Sequence, residues 1–286
     1  MHGARRGVRV SPGFGNGVMS SLFSIARVCL ECADPARKCA LTAQAVAAWR
    51  DGVLALDVDD EPIIAAETVV GRPVRPRLVP PRELPQRGLG SVAGRAALMH
   101  AVAHIEFNAI NLAWDAVYRF RDMPRAYVDD WVGVAGDEAR HFGLVTGRLA
   151  DLGVAYGDLD AHDGLWDMAC KTQHDGLARM ALVPRVLEAR GLDVTPGMIA
   201  RLREVGDTDS VAVLEVILAE EVAHVAAGSR WFEWHCTRAG VDPASTFDGL
   251  LTTHMGFLPR PPFNRAARRA AGFLDADMDR WQCASR

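Results

Sequence analysis

Hydrophobic residues recur at intervals of three and four along most of the chain, a spacing typical of helices that bury one face. No segment alternates apolar and polar residues as a half-buried strand does, and the sequence contains no short internal repeat. The pattern therefore predicts an all-α fold. It places one helix over residues 20–32 and another from Pro35, capped by Asp34, to about Gly52.

Longer helices follow, because the same periodicity continues over much longer segments. An eleven-residue connector, 153–163, is long enough to cross a helical bundle from end to end at roughly 3.3 Å per residue. We expect these four helices over residues 91–121, 124–152, 164–190 and 208–239.

The third of these helices contains residues that interrupt helical structure. Pro184 is expected to kink it, because proline lacks the backbone N–H of a helical hydrogen bond. Gly191 is expected to end it, and Thr195 and Pro196 to begin a short extra helix.

Changes in composition divide the chain into five parts. Residues 71–88, GRPVRPRLVPPRELPQRG, are too rich in proline and arginine for a regular element. The first 18 residues lack the apolar core of a signal peptide, so we expect either a disordered arm or a start at Met19. The expected parts are an arm at 1–18, a helical pair at 19–52, an extended connector at 53–90, a four-helix bundle at 91–240, and a C-terminal extension of short helices that pack on the bundle at 241–286.

Two Glu-x-x-His pairs lie among apolar residues on predicted helix faces. The first is Glu138 with His141 in AGDEARHFG, and the second is Glu221 with His224 in EEVAH. At three residues apart, both side chains of a pair project from the same face of a helix. Asp137 lies about 100° away from Glu138 around the helix, so it is not expected to bind metal.

A glutamate on an earlier apolar helix face precedes each pair. Glu106 stands 32 residues before Glu138, and Glu188 stands 33 residues before Glu221. Buried carboxylates are costly unless they are paired or bind cations. Four carboxylates and two imidazoles that converge in one bundle would neutralise two divalent metals, as in di-iron and di-manganese carboxylate proteins. The predicted ligands are therefore Glu106, Glu138, His141, Glu188, Glu221 and His224.

Other polar residues compete for these roles. Asp167 and Asp175 remain alternatives to Glu188, whose helix is expected to end at Gly191. Cys170 and His174 lie more than about 20 Å up the helix from Glu188 at 1.5 Å per residue, so we expect them in the core. A polar set on the other side of the first long helix is expected at the surface, facing a partner, or supporting the ligands: His100, His104, Asn108, Asn111 and Asp115.

Composition narrows the function classes. Charged residues make up 24% of the chain and the net charge is −4, which does not favour a strongly basic nucleic-acid binder. No run approaches 18 apolar residues, so we expect neither a transmembrane helix nor a membrane partner, and a cytoplasmic location. The six cysteines are expected to be reduced thiols, and the CxxC formed by Cys29 and Cys32, with Cys39 nearby, lies inside a helical pattern that does not favour a metal site. The RAARR run near the C-terminus is expected to be a solvated helix face.

The chain also resembles a known bacterial family through the segments HIEFNAINLAWD, DEARHFGLV, LVPRVLEARGLDVTP, EEVAHVAAGSRWF and PPFN…AR…AGF. It is similar, from about residue 20 to 275, to the ferritin-like family DUF455. That resemblance implies a ferritin-like four-helix bundle whose ligands are the six residues named above. The wider relatives of the family include ferritins, rubrerythrins and tRNA-modifying di-iron monooxygenases.

The leading hypothesis is an O₂-using oxidoreductase with two divalent metal ions, iron or a manganese–iron pair. Its expected partners are O₂ and a small-molecule, protein or RNA substrate, without DNA, and with a homodimer as an open alternative. A ferritin-like storage or detoxification protein would keep the same ligands without an organic substrate. A non-catalytic helical adaptor would instead use the Pro/Arg-rich segment 72–87 to bind its partner.

Overall fold

A computed structural model describes residues 21–57, 62–85 and 87–284, and its regular elements in these ranges are helices without a named strand. The all-α prediction is therefore confirmed, while the expected arm at 1–18 and Met19 lie outside the described residues. The α-helices are α1 (Leu22–Glu31), α2 (Pro35–Arg50), α3 (Ala66–Val69), α4 (Val92–Arg119), α5 (Arg125–Asp151), α6 (Gly164–Lys171), α7 (Gly176–Leu182), α8 (Ala189–Glu204), α9 (Thr208–Ala239), α10 (Pro243–His254), α11 (Arg265–Ala270) and α12 (Asp275–Ala284).

The N-terminal helical pair forms as its sequence predicts. Asp34 caps α2 by accepting a hydrogen bond of 2.7 Å from the backbone N–H of Arg37, and Pro35 follows at the first helical position. Helix α1 packs on α4, and α2 packs on α5. A hydrogen bond of 2.9 Å from the Trp49 indole to Asp129 ties the end of α2 to α5. The pair thus packs on the first two long helices, α4 and α5.

The longest helices pack on one another around the centre of the chain. Helix α4 contacts α5 along most of its length, α5 contacts α9, and α9 contacts both α7 and α8. Their shared interior is apolar, because each helix turns its aliphatic and aromatic face inward. No helix in the described ranges has the length and hydropathy needed to cross a membrane.

The prediction of one continuous helix over residues 164–190 is wrong. The chain leaves the helix after Lys171, and Asp175 caps a new one by accepting a hydrogen bond from Ala178 N–H at 3.1 Å. The kink expected at Pro184 is instead a π-helical turn over Val183–Glu188.

Nor does Gly191 end the segment, which continues as α8 to Glu204 with Pro196 inside it. Interior glycine costs a helix only about 1 kcal/mol. The buried side chains of Leu192, Ile199 and Leu202 hold α8 against its neighbours and outweigh that cost.

The connector 53–90 is largely irregular, but it contains α3 and one turn of 3₁₀ helix at Pro81–Glu83. Two of its arginines make ion pairs within the chain. Arg72 lies 2.5 Å from Asp163, and Arg77 lies 2.6 Å from Asp160. The connector is thereby fastened to the loop between α5 and α6.

The polar side of α4 is buried, so the surface position that was one alternative for it is wrong. Other parts of the same chain cover it and supply hydrogen-bond partners. Lys38 donates to Asn111 at 2.5 Å, and the amide N–H of Gly157 donates to His100 at 2.9 Å. The side chains of this set are all buried: His100, His104, Asn108, Asn111 and Asp115.

The C-terminal helices pack against α9, α8 and α7. The guanidinium of Arg185, in the π-helical turn, lies 4.7–4.9 Å from the ring centres of Phe232, Phe247 and Phe273. Arg268 of the RAARR run is buried and makes an ion pair with Asp193 through two hydrogen bonds. The prediction that this run is a solvated helix face is therefore wrong for Arg268.

Candidate metal centre

The structure brings five of the six predicted ligands into two groups that share one residue. The first group is Glu106, Glu138 and His141, and the second is Glu138, Glu221 and His224. Within each group one ligand atom per residue lies within 4.8 Å of the others. Helix α4 supplies Glu106, α5 supplies the first Glu-x-x-His pair, and α9 supplies the second.

The two histidine rings face the carboxylates through the same nitrogen. His141 Nδ1 lies 3.4 Å from an oxygen of Glu106 and 3.4 Å from an oxygen of Glu138. His224 Nδ1 lies 2.9 Å from the other Glu138 oxygen and 3.1 Å from Glu221. The ring centres are 5.7 Å apart. Glu138 therefore lies between the two histidines, with one oxygen toward each.

Glu188, the sixth predicted ligand, lies in the π-helical turn and belongs to neither of the two groups. Its carboxylate is buried, and Oε2 has no hydrogen-bond partner among the described residues. Burial and the negative charges of Glu221 and Glu138 raise the pKa of Glu188 well above its usual value. Those charges act on Glu188 because the carboxylates share one buried region.

The competing residues do not belong to this region. Asp167 and Asp175 are exposed, so neither replaces Glu188 among the buried carboxylates. His174 is exposed rather than in the core, which corrects that expectation, and Cys170 is half-buried.

The pKa values of the carboxylates and histidines in this region are strongly shifted, because like and unlike charges are buried together. Burial and the charge of Glu138 raise the pKa of Glu106 and of Glu221. Burial alone would lower the pKa of His141, but hydrogen bonds and charges from Glu106 and Glu138 outweigh it and raise the pKa to about 10. For Glu138 burial acts upward, yet the charge of His224 and the histidine hydrogen bonds hold its pKa well below the usual range.

Sequence reasoning missed one residue of this region and misplaced another. His141 Nε2 lies 2.7 Å from Glu220, and His224 Nε2 lies 3.4 Å from Asp137. In each case the acid that directly precedes a ligand glutamate on one helix contacts the histidine of the other helix. Asp137 is half-exposed and does not join either ligand group, but it is not remote from the centre. The repeated acidic dipeptides DE and EE in the two motifs were the available signal.

These donors suit a pair of divalent cations. Carboxylate oxygens and imidazole nitrogens are the ligand types of manganese and of non-haem iron. The unpartnered Oε2 of Glu188 is a buried acceptor that a cation would satisfy. The acids that contact each Nε2 would fix the orientation of the rings, as hydrogen-bond partners of metal-bound histidines commonly do.

Comparison with known proteins identifies the family to which this chain belongs. The model of the family described as "Protein of unknown function (DUF455)" matches residues 31–279. The chain is also 39% identical over 258 residues to an uncharacterized protein of Haemophilus influenzae, an alignment that covers 87% of this chain and 90% of that protein. No solved structure matches it significantly. The chain therefore belongs to the DUF455 family.

Proposed function

We propose that this protein is a ferritin-like dimetal carboxylate protein whose two metal ions use O₂ to oxidise a substrate. The observation that carries the proposal is the position of Glu138, whose two oxygens face two different histidines. A carboxylate in that position suits a bridge between two cations. In this proposal, helices α4, α5 and α9, with the segment from α7 to α8, would be the four helices of such a bundle.

Each residue has a role that follows from its contacts. Glu138 would bridge the two ions, while Glu106 and His141 would complete one site and Glu221 and His224 the other. Glu188 would add a carboxylate from the π-helical turn. A pair of iron ions, or manganese with iron, would supply O₂ reduction when bound.

The protein's own contribution is to keep the centre dry and its donors oriented. The side chains of Glu138, His141 and His224 are at most 2% exposed. In such surroundings charge interactions are stronger than in water. Glu220 and Asp137 would hold the two imidazoles with Nδ1 toward the ions, and they would accept the Nε2 protons.

Metal content after anaerobic loading with Fe(II) tests the centre. We expect about two iron ions per chain in the natural protein and less than about one in Glu138→Ala, because Glu138 belongs to both groups. Asp151→Ala is the matched control, since Asp151 is an exposed carboxylate near the end of the same helix. Equal iron content in the natural protein and Glu138→Ala would exclude this centre.

Exposure of the loaded protein to O₂ separates the oxidoreductase from storage. An oxidoreductase centre is expected to consume O₂ in proportion to its two ions and then to stop until a reductant is added. A storage protein would continue to take up Fe(II) far beyond two ions per chain. Absorption and Mössbauer spectra followed over time distinguish these outcomes, and continued uptake would refute the oxidoreductase.

A further inference from the structure

A cavity lies between the π-helical turn, α8, α11 and the segment after α10. Its volume is about 390 Å³, within the range of small-molecule sites. Val186 and Leu187 form one apolar wall, and Met255 and Phe257 contribute another. Phe257 is 49% exposed. The cavity therefore offers an apolar surface that a ligand would cover.

A buried guanidinium lines the same cavity. Arg268 is 1% exposed, and its Nε and Nη2 donate to Asp193 at 2.9 and 2.8 Å. Its remaining nitrogen, Nη1, is buried without a hydrogen-bond partner among the described residues. An unpartnered buried donor of this kind is costly, and it is rare unless a ligand or water satisfies it.

Further positive charge surrounds the cavity. Arg190 and Arg260 line it, and Arg190 is joined to the Arg260 carbonyl by a hydrogen bond of 2.9 Å. The lining contains one acid, Asp193, which is paired with Arg268 and lies 3.7 Å from Arg190. The balance of charge favours an anion.

We propose that this cavity binds a monocarboxylate that carries an apolar chain. Its carboxylate would pair with the arginines that line the cavity, and its chain would lie against Val186, Leu187, Met255 and Phe257. A carboxylate suits this lining, because guanidinium groups donate parallel hydrogen bonds to its two oxygens. The site stands on residues outside the candidate metal centre, so it holds whether or not metal binds there.

The position of the cavity also has a consequence for the metal centre. Val186 and Leu187 belong to the six-residue π-helical turn that ends at Glu188. Glu188 is the last residue of that turn and lies in the buried carboxylate region. A ligand in the cavity would therefore press on the same turn that presents Glu188.

Calorimetric titration of the whole chain with decanoate, without added metal, tests the site. We expect saturable binding of one decanoate per chain, with decanol about tenfold weaker. Met255→Trp, which would fill the cavity, is expected to abolish binding. Arg190→Gln is expected to weaken it several-fold, while Arg201→Gln, an exposed arginine of the same helix outside this cavity, leaves it unchanged.

Equal affinity for decanoate and decanol would overturn the proposal, because the arginines would then contribute nothing. Unchanged affinity in a folded Met255→Trp variant would also overturn it, as would the absence of saturable binding by the natural protein. Arg268→Met would not test ligand binding by itself, because loss of the ion pair with Asp193 would also destabilise the fold. Failure of iron loading leaves each of these outcomes unaffected, so the two proposals fail separately.

Discussion

The contact between Gly228 and Pro184 is where α9 and the π-helical turn approach most closely through a glycine. A methyl group added at Gly228 would overlap Cβ and Cγ of Pro184. Gly228 stands four residues after His224, and Pro184 stands four residues before Glu188. The substitution Gly228→Ala would therefore push α9 and the π-helical turn apart. The contact lies about one helical turn from the candidate metal centre.

The magnitude follows from two opposing effects. Overpacking a buried contact costs about 1–3 kcal/mol, and the rigid proline ring has no rotamer by which to move aside, which favours the upper end. Alanine gains about 1 kcal/mol over glycine in a helix interior. We therefore expect Gly228→Ala to lose about 2 kcal/mol of stability, or about 4 °C in melting temperature for a chain of this size.

Gly147→Ala on α5 is the matched control, because its added methyl group meets nothing within 4 Å. It is expected to stabilise the protein by about 0.5–1 kcal/mol. Urea unfolding of the metal-free proteins, followed by far-ultraviolet circular dichroism, measures both changes. If Gly228→Ala were as stable as Gly147→Ala, the close contact between α9 and the π-helical turn would be refuted. Iron loading of Gly228→Ala is expected to fall for the same geometric reason.

Three further predictions concern buried charges and thiols. Burial lowers the pKa of Lys38 to about 8, so between pH 8 and 10.5 the unfolded chain holds a proton that the folded protein has lost. Stability should then rise with pH by up to about 3 kcal/mol relative to Lys38→Met in urea titrations. Asp115→Asn should cost about 3–5 kcal/mol at pH 7, because it leaves Arg119 and Arg179 without their buried counter-charge. Iodoacetamide should label exposed Cys283 long before Cys29, whose pKa burial raises to about 12.

A specific measurement would contradict each of these three predictions. The same pH slope in the natural protein and Lys38→Met would show that Lys38 keeps its ordinary pKa. The pKa of Asp115 is lowered: burial acts upward, but the charge of Arg179 and the contacts of Arg119 outweigh it. The stability that Asp115 contributes should therefore be lost only as pH falls through that low pKa, so a loss near neutral pH would contradict the ion pairs. Equal labelling rates for the two cysteines, followed by peptide mass spectrometry, would contradict the burial of Cys29.

Helix positions were the most predictable part of the fold. The bounds of α4, α5 and α9 lie within two residues of those expected from periodicity, because each helix buries a continuous apolar face. The segment 164–190 was less predictable. Its breaks depend on local hydrogen bonding by Asp175 and on the missing N–H of Pro184, whose effect on a helix is set by what packs around it.

The candidate centre was predictable in part for the same reason. Face and spacing selected Glu106, Glu138, His141, Glu221 and His224, which the structure brings together. Glu220 could not be found in this way, because it points away from the ligand face of its own helix and meets the histidine of another. A pattern along one helix contains no information about which residue of a neighbouring helix it will touch.

The sequence by itself therefore determined the helical class, most helix bounds and the face of each helix that carries acids and histidines. Only the tertiary structure decided what covers the other faces of these helices. It buried the polar side of α4 under the N-terminal helices and loops, paired Arg268 with Asp193, and formed a cavity behind the π-helical turn. The physical reason is that periodicity reports whether a face is buried. Contacts between distant segments depend on how whole elements pack, which no local pattern encodes.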